Sequence, residues 1–445
     1  MTIFEINIRN ITTACLGVLM LLQPVILSAE SAVALSVTDC IKTALASSPI
    51  LAIAEVDIEA ASGMLTESAA VLQPAMRIGA ASRHYDQNRP VNSGAAPGAT
   101  QFYDQEINEM QLQLRQLIWD AGRSKAKLSA ARKILDARKS QRIRVEQELL
   151  YSVIVACIDI ISFQAQAEAV EKNIQDISAA LQRIRKLHEV GKVASVDVLR
   201  IEVREQEVFS QQETIRHLLN SNLARLARIA GMSQPPALIA SDSLTGLASL
   251  PEASLEEFIS LALNERPDLD AQKAKIGAAR NEFRAADRMQ QPTLNAVLTG
   301  NRYSSGSGRA VENGFAGMEF GWQFGDGGQA RGKKRTARAA ADKERLLLQD
   351  AELRVSEQVR TAFSSIKSAA AKLARSQKGL SLAEEAYRIE LLNYEHGKGT
   401  INDLLDAQSA LFTARAQLIR DENDLVAARL AMALATGQPV FISNN

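Results

Sequence analysis

Two carboxylates near the C-terminus are spaced so that together they could interact with ions. Asp403 and Asp406 are three residues apart, so on a helix they would share one face. Around a threefold axis the pair would supply two carboxylates from each of three chains, and rings of acidic side chains select cations and repel anions in pores. The alternative is a solvated helical face on which one of the two residues caps the helix. The residues alone leave both interpretations open.

The sequence offers little material for other chemistry. Its 445 residues include 4 His and 3 Cys, and Cys15, Cys40 and Cys157 show neither CxxC nor Cys/His spacing. This pattern disfavours a zinc or redox site, and we expect no metal and no cofactor. No nucleophile–base pair or phosphate-binding loop is apparent, so an enzyme is not predicted. The 51 Lys and Arg residues are balanced by 51 Asp and Glu residues, which argues against a nucleic-acid partner.

The N-terminus has the pattern of an export signal. Arg9 precedes an apolar run, residues 15–22, that is too short to span a bilayer, and Ala32-Val33-Ala34 supplies a small-x-small cleavage pattern. We predict a signal peptide over residues 1–34, with an uncleaved anchor as the alternative. No later segment approaches 18 consecutive apolar residues, so no transmembrane helix is predicted after it.

The rest of the chain repeats one unit. Matching positions lie 218 or 206 residues apart, and they are Pro49 with Pro267, Pro74 with Pro292, Asp120 with Asp326, Gly191 with Gly397, and Asp197 with Asp403. Several matches at two constant offsets indicate an internal duplication. We predict a first repeat at 35–232, a linker at 233–253, a second repeat at 254–438 and a tail at 439–445.

Each repeat contains two stretches in which apolar and polar residues alternate, separated by polar loops at 88–100 and 304–314. The apolar members are Met76, Ile78 and Ala80, then Met110, Leu112 and Leu114, then Leu294, Ala296 and Leu298, and then Met318, Phe320, Trp322 and Phe324. Alternation predicts strands with one apolar face. They could form soluble hairpins, but isolated hairpins are marginally stable, which favours transmembrane strands. Because the smallest membrane barrels have about 8 strands, several chains would have to share one barrel.

Very long helices are predicted after these strands. Residues 123–190 contain neither Gly nor Pro, and at about 1.5 Å per residue they would extend roughly 100 Å. Apolar residues with 4-3-4 spacing are Leu150, Ile154, Cys157 and Ile161, and in the second repeat Val355, Val359, Ala362 and Ile366. Such stripes predict bundle core. Gly191 and Gly397 should end the long helices, after which a second helix should run back.

The turns after the long helices resemble a known family. Residues 394–408, YEHGKGTINDLLDAQ, are similar to the helix-turn-helix tip of the TolC-like outer-membrane efflux family, and residues 188–199, HEVGKVASVDVL, resemble its other tip. The resemblance implies a mainly α protein with a membrane β part. Three chains, each giving four strands, would build one 12-stranded outer-membrane β-barrel that a long periplasmic α-helical coiled-coil barrel continues.

The same resemblance implies a gate at the periplasmic tip. Tyr394 matches an aromatic residue that hydrogen-bonds at the closed tip, and Asp403 and Asp406 match the carboxylates that ring the constriction.

A latch is also implied. Asp197 matches a carboxylate that pairs with a basic residue of the second repeat, but here that position is Gly399, with Lys398 beside it as a possible substitute. Gly191, Gly397 and Gly399 would form the tip turns.

The sequence thus predicts a passive outer-membrane exit duct for tripartite efflux or type I secretion. By the resemblance, a homotrimer in outer-membrane lipid would dock onto a periplasmic adaptor (a membrane fusion protein) and an inner-membrane ABC or proton-driven transporter. The alternative is a periplasmic coiled-coil adaptor without a pore, which would need one helical hairpin flanked by lipoyl-like β domains. The sequence does not identify the cargo.

Overall fold

The computed structural model describes residues 35–91, 103–237, 239, 253–306 and 308–439. The predicted signal peptide at 1–34 lies outside the described residues. So do most of the predicted linker and all but the first residue of the predicted tail.

The described chain runs twice through the same order of helix, helix, strand, strand, helix and helix. The first set is α1 (Val37–Ser47), α2 (Pro49–Ala70), β1 (Ala75–Pro90), β2 (Tyr103–Trp119), α3 (Arg123–Glu189) and α4 (Ser195–Ala230). The second set is α5 (Leu255–Glu265), α6 (Pro267–Asp287), β3 (Thr293–Ser305), β4 (Ala310–Gly321), α7 (Gln329–Glu395) and α8 (Ile401–Thr436). Both α3 and α7 have 67 residues, so each is roughly 100 Å long.

Equivalent aspartates, Asp120 and Asp326, precede the long helices of the two repeats and stabilise their first turns. The two carboxylate oxygens of Asp120 accept hydrogen bonds from the backbone N–H groups two and four residues later, at 3.1 and 2.7 Å. Those of Asp326 do the same at 3.0 and 2.7 Å. Gly122 and Gly328 supply the left-handed φ of 80° and 94° that this turn requires. The chain is thereby turned from a strand directly into a long helix.

The four strands form one antiparallel sheet in the order β1-β2-β3-β4. Its register aligns Met76, Leu114, Leu298 and Ala316 in one row across all four strands. This apolar face is largely exposed in the single chain, with Met76 at 71% and Leu298 at 53%. The opposite face carries cross-strand ion pairs, among them Arg83–Glu109 at 2.7 Å and Arg115–Glu319 at 3.1 Å. The sheet is therefore apolar on one side and polar on the other, as the alternation predicts.

The structure corrects the predicted end of the last strand. Trp322 and Phe324 follow β4 and do not belong to it, because the position across from Trp322 would be Pro292, which has no N–H to donate. The indole N–H of Trp322 donates instead to the carbonyl of Gln290 at 3.1 Å.

The strands also extend into both predicted polar loops. The second reduces to residues 306–309, since Ser304 and Ser305 belong to β3 and residues 310–314 to β4. In the first repeat, β1 continues through Asn88 to Pro90, and the rest of the predicted loop, apart from residue 91, lies outside the described residues.

Both 4-3-4 stripes are buried in helical core, which confirms that prediction. Ile154 and Cys157 are fully buried in a cluster formed mainly by α1, α3 and α4. Val355 and Val359 are buried in a second cluster formed by α5, α7 and α8. Cys40 belongs to the first cluster, and the thiols of Cys40 and Cys157 are free.

Two helical stretches of the described chain, Val37–Ala70 and Arg123–Glu189, are long and apolar enough to pass for membrane spans. The first is interrupted at Ser48, whose ψ of 123° is extended, so it is not one straight helix. In the second, Val153 and Ile160 are fully buried in the first core cluster. Their apolar character is accounted for by packing within the protein.

Candidate gate at the helix tips

Helices from both repeats meet at the end of the molecule farthest from the sheet. The apolar side chains that they bury together form what we call the tip cluster: Val170, Ile174, Ile177, Leu181, Ile184, Ile201, Val208 and Ile401. Tyr394 and Leu404 pack against it. Because the cluster draws on α3, α4 and α8, the gate residues of the two repeats are held in one packed unit.

The two predicted turns at Gly191 and Gly397 are present. Their φ values are 72° and 69°, a left-handed conformation that favours glycine. The N–H of Lys192 donates to the carbonyl of Leu187 at 2.9 Å, which satisfies an end of α3. Nothing lies within 4 Å of a side chain added at either glycine, so the φ value alone explains the residue type.

Gly399 is required for a different reason. It has no left-handed φ, but a Cβ there would lie 3.1 Å from Cβ of Asn393 and 3.3 Å from the backbone N of Tyr394. Its own N–H donates to the carbonyl of Asn393 at 3.1 Å. A side chain at this position would therefore pack tightly against the end of α7 and push it by a few tenths of an ångström. This tight fit favours glycine at the position where the resemblance implies a basic residue.

Asp403 caps the helix that follows this turn. Its carboxylate accepts from the hydroxyl of Thr400 at 2.7 Å and from the N–H of Thr400 at 3.1 Å. The N–H of Asp403 donates in return to the Thr400 hydroxyl at 3.3 Å. These hydrogen bonds hold the pKa of Asp403 below its usual value. The capping role left open by the sequence is thus real for Asp403.

Asp406 is exposed and, within the described residues, forms no ion pair or side-chain hydrogen bond. It lies one turn further along α8 than Asp403, on the same face of the helix. Of the two carboxylates, Asp406 is therefore the one free to meet ions.

The predicted latch residues do not pair within one chain. Asp197 lies 3.4 Å from Arg200 on its own helix, and the exposed Lys398 forms no ion pair among the described residues. Tyr394 is half-buried against the tip cluster. Burial first, and then the negative charge of Asp197, raise the pKa of the Tyr394 phenol, while Arg183 opposes them. The structure therefore brings Asp197 close enough to Tyr394 for its charge to act on the phenol.

Polar contacts between the repeats, at the tip and further along α3 and α8, were missed by the sequence reasoning. They are Arg183 with Glu395 at 3.8 Å, Gln408 with Asn173 at 3.2 Å, and Arg420 with Gln166 at 3.3 Å. The repeat match could not find them, because the counterpart of Arg183 in the second repeat is Ile389, an apolar residue. They join elements that are far apart in sequence.

The whole chain can be compared with known protein families. The family model described as "Outer membrane efflux protein" matches residues 40–232 and 258–438, which is most of the chain. The chain belongs to the outer membrane efflux protein family. The two matched segments fall within the two predicted repeats.

Individual relatives of this family are distant in sequence. Outer membrane efflux protein BepC of Brucella suis biovar 1 is 23% identical over 333 residues, covering 74% of this chain and 71% of BepC. Outer membrane protein TolC of Escherichia coli (strain K12) is 24% identical over 413 residues, covering 88% of this chain and 80% of TolC.

The fold matches more completely than the sequence. The crystal structure of the outer membrane protein VceC from Vibrio cholerae aligns with a TM-score of 0.74 at 17% identity, covering 91% of this chain and 97% of VceC. The predicted fold class is confirmed: four strands per chain are continued by long helices, as in the outer membrane channels that the chain resembles. The predicted location is confirmed as well, with the sheet in the outer membrane and the helices in the periplasm.

Proposed function

We propose that this efflux family member is a passive exit duct, gated at its periplasmic tip and opened by docking. The observation that carries the proposal is the direct connection between the sheet and the long helices. A sheet with an exposed apolar face leads, through the Asp120 and Asp326 turns, into helices roughly 100 Å long. One wall thus continues from the membrane into the periplasm.

Self-association into a trimer is supported by the free edges of the sheet. Among the described strands, β1 and β4 each have one neighbour, so each has an outer edge to which a further strand could pair. Unpaired backbone groups are costly in a bilayer, and four strands are too few to close on themselves. Pairing of β4 with β1 of the next chain satisfies both edges.

The gate in this proposal has two layers. Asp406 supplies the exposed carboxylate ring, and Asp403 adds charge while capping α8. Tyr394, with Asp197 nearby, holds the tips against the shared cluster. A duct of this kind has no energy source of its own, so a periplasmic adaptor and an inner-membrane ABC or proton-driven transporter would open it and drive the cargo. It carries out no reaction and is not an enzyme.

The adaptor alternative is disfavoured by the same features. A periplasmic adaptor has no use for four strands whose apolar side chains, such as Met318 at 73% exposure, face outwards. Two equivalent helical hairpins also differ from the single hairpin that an adaptor needs.

Fractionation and native mass spectrometry test the proposal together. The protein should remain with the outer membrane after a salt wash, be released only by detergent, and have the mass of three chains. Release by salt alone would favour the adaptor. A stable monomer that retains its β-sheet signal would overturn the shared barrel.

A further inference from the structure

Both long helices begin with an unusual run of positive charge. The first 13 residues of α3 contain five Lys or Arg residues and no Asp or Glu, and the same is true of α7. The first acidic residues, Asp136 and Asp342, occupy equivalent positions 206 residues apart. Because the N-terminal end of a helix carries partial positive charge, cations there are unfavourable for the helix itself. The charge therefore opposes local stability in both repeats.

Three of the basic positions are kept in both repeats. The pairs are Lys125 with Arg331, Lys127 with Lys333, and Arg132 with Arg338, all at the offset of 206. Other charged residues of the long helices are not matched in the second repeat; the counterpart of Arg183, for example, is Ile389. A charge that opposes the helix dipole and is nevertheless present in both repeats points to a use outside the helix.

The positive charges divide between two faces of the helical layer. Lys127 and Lys333 line a groove of about 1070 Å³ to which α2, α3, α6 and α7 all contribute. This groove marks one face of the helical layer, and in a barrel closed around it that face would line the lumen. Arg123, which lies 3.9 Å from Asp120, also lines this groove, together with Glu67 and Glu282.

The remaining charges face the other way. Lys125, Arg132, Arg331, Arg335 and Arg338, which we call the basic collar, lie roughly 140–200° around their helices from the groove-lining lysines. All five are exposed. Lys133 and Lys334 pair with Asp136 and Asp287 at 3.1 and 2.5 Å, but within the described residues no collar residue has a carboxylate partner.

The collar lies directly below the membrane. Lys125 is six residues after Trp119, the last residue of β2, and an exposed Trp at a strand end is typical of the membrane interface. Helical side chains lean towards the N-terminus of their helix, which for α3 and α7 is the direction of the sheet. Long Arg and Lys side chains within about 15 Å of the helix start can therefore reach lipid headgroups.

One collar residue also lines a recess on this face. A groove of about 480 Å³ between α3 and α6 is lined by Arg132, Lys133 and Arg284, with Asp136 as its single carboxylate. Three cations against one anion suit a phosphate group, and basic pockets between membrane-proximal helices bind anionic headgroups.

We propose that the basic collar binds anionic phospholipid headgroups of the periplasmic leaflet of the outer membrane. The ligand is the headgroup phosphate of a lipid such as phosphatidylglycerol, held by the collar residues of both repeats. This binding fixes the height of the barrel in the bilayer. It is independent of whether the tip gate works as proposed above.

The test compares lipids retained by the intact trimer. Purified protein is incubated with equal amounts of phosphatidylglycerol and phosphatidylethanolamine, and retained lipids are counted by native mass spectrometry. In the collar variant all five residues become Gln, and in the matched control five exposed basic residues far from the sheet become Gln. The control residues are Lys172, Lys186, Lys372, Arg375 and Lys378.

Wild type and the control should retain phosphatidylglycerol in preference, and the collar variant should lose at least about tenfold of that retention. A charge-preserving variant, with Lys and Arg exchanged at the five sites, should retain it. Since the collar opposes the helix dipoles, its removal should leave the trimer mass and melting temperature intact.

Three results would overturn the proposal. They are equal retention of both lipids by wild type, full retention by the collar variant, and an equal loss in the control. Binding to isolated peptidoglycan that the collar variant loses, while its lipid retention stays unchanged, would assign the surface to the cell wall instead.

Discussion

The guanidinium of Arg183 on α3 lies 3.8 Å from the carboxylate of Glu395, the last residue of α7. This ion pair joins the two repeats beside Tyr394, where a gate would have to open. Both side chains are well exposed, at 71% and 48%, so the pair adds little to the stability of the whole protein. It can break at small cost when the tips separate.

Removal of this pair should loosen the tip without unfolding it. Arg183→Gln should raise conductance in planar bilayers and leave the melting temperature nearly unchanged, and high salt should have the same effect on wild type. Arg185→Gln is the matched control, because Arg185 pairs with Glu202 at 2.7 Å inside the first repeat. An equal rise in conductance in both variants would show that the contact between the repeats has no specific role in keeping the tip closed.

The two tips differ in helix capping, and single substitutions should remove the cap of α8 or add one to α4. Thr400 forms a reciprocal cap with Asp403, whereas its counterpart Ala194 has no side chain to cap α4 beside Asp197. Thr400→Ala should cost about 1 kcal/mol locally and speed amide hydrogen exchange in the first turn of α8. Ala194→Thr should slow exchange in the first turn of α4. No change in α4 would mean that Asp197 cannot adopt the capping geometry.

The two gate carboxylates should separate by function. Asp406→Asn should weaken block by a divalent cation added on the periplasmic side and leave hydrogen exchange in α8 unchanged. Asp403→Asn should weaken the block and also speed exchange, because Asp403 holds the cap. Since the pKa of Asp403 lies below its usual value, part of the block should persist in acid below about pH 4. Full block in Asp406→Asn would remove Asp406 from the gate.

A buried arginine should dominate stability in the second repeat. Arg266 binds Asp268 through two hydrogen bonds, at 2.7 and 3.0 Å, and donates to the carbonyl of Ala435 at 3.1 Å. At the equivalent place in the first repeat, the hydroxyl of Ser48 donates to Ile229 at 3.0 Å. Arg266→Met should cost about 3 kcal/mol by leaving a half-buried carboxylate unpaired. Ser48→Ala should cost about 1–2 kcal/mol. Thermal unfolding measures both, and equal losses would contradict the comparison.

The loss of stability in acid should depend on the same arginine. Burial alone would raise the pKa of Asp268, but the hydrogen bonds and charge of Arg266 outweigh it and hold the pKa below the usual value. The stabilisation is then present above about pH 4, the pKa in the unfolded chain, and is lost as pH falls through the lower folded value. Arg266→Met should flatten this acid-dependent loss of melting temperature.

Local signals explain what the sequence could predict. Glycines with a left-handed φ, such as Gly191 and Gly397, and the alternation at Met76 and Met110 depend on neighbouring residues alone. The end of β4 depended on the proline that precedes the partner strand, and the Arg183–Glu395 contact on how two repeats pack. Neither can be read from one stretch of chain. For Asp403, the sequence allowed both a cap and a pore residue, and only the contact with Thr400 established the cap.

Single-channel recording of the unmodified trimer in planar bilayers tests the central claim most directly. A passive duct narrowed by carboxylates at one end should conduct ions with low conductance. A divalent cation should block it when added on the periplasmic side and have little effect from the opposite side. Absence of channels, or high conductance that no cation blocks from either side, would contradict the account.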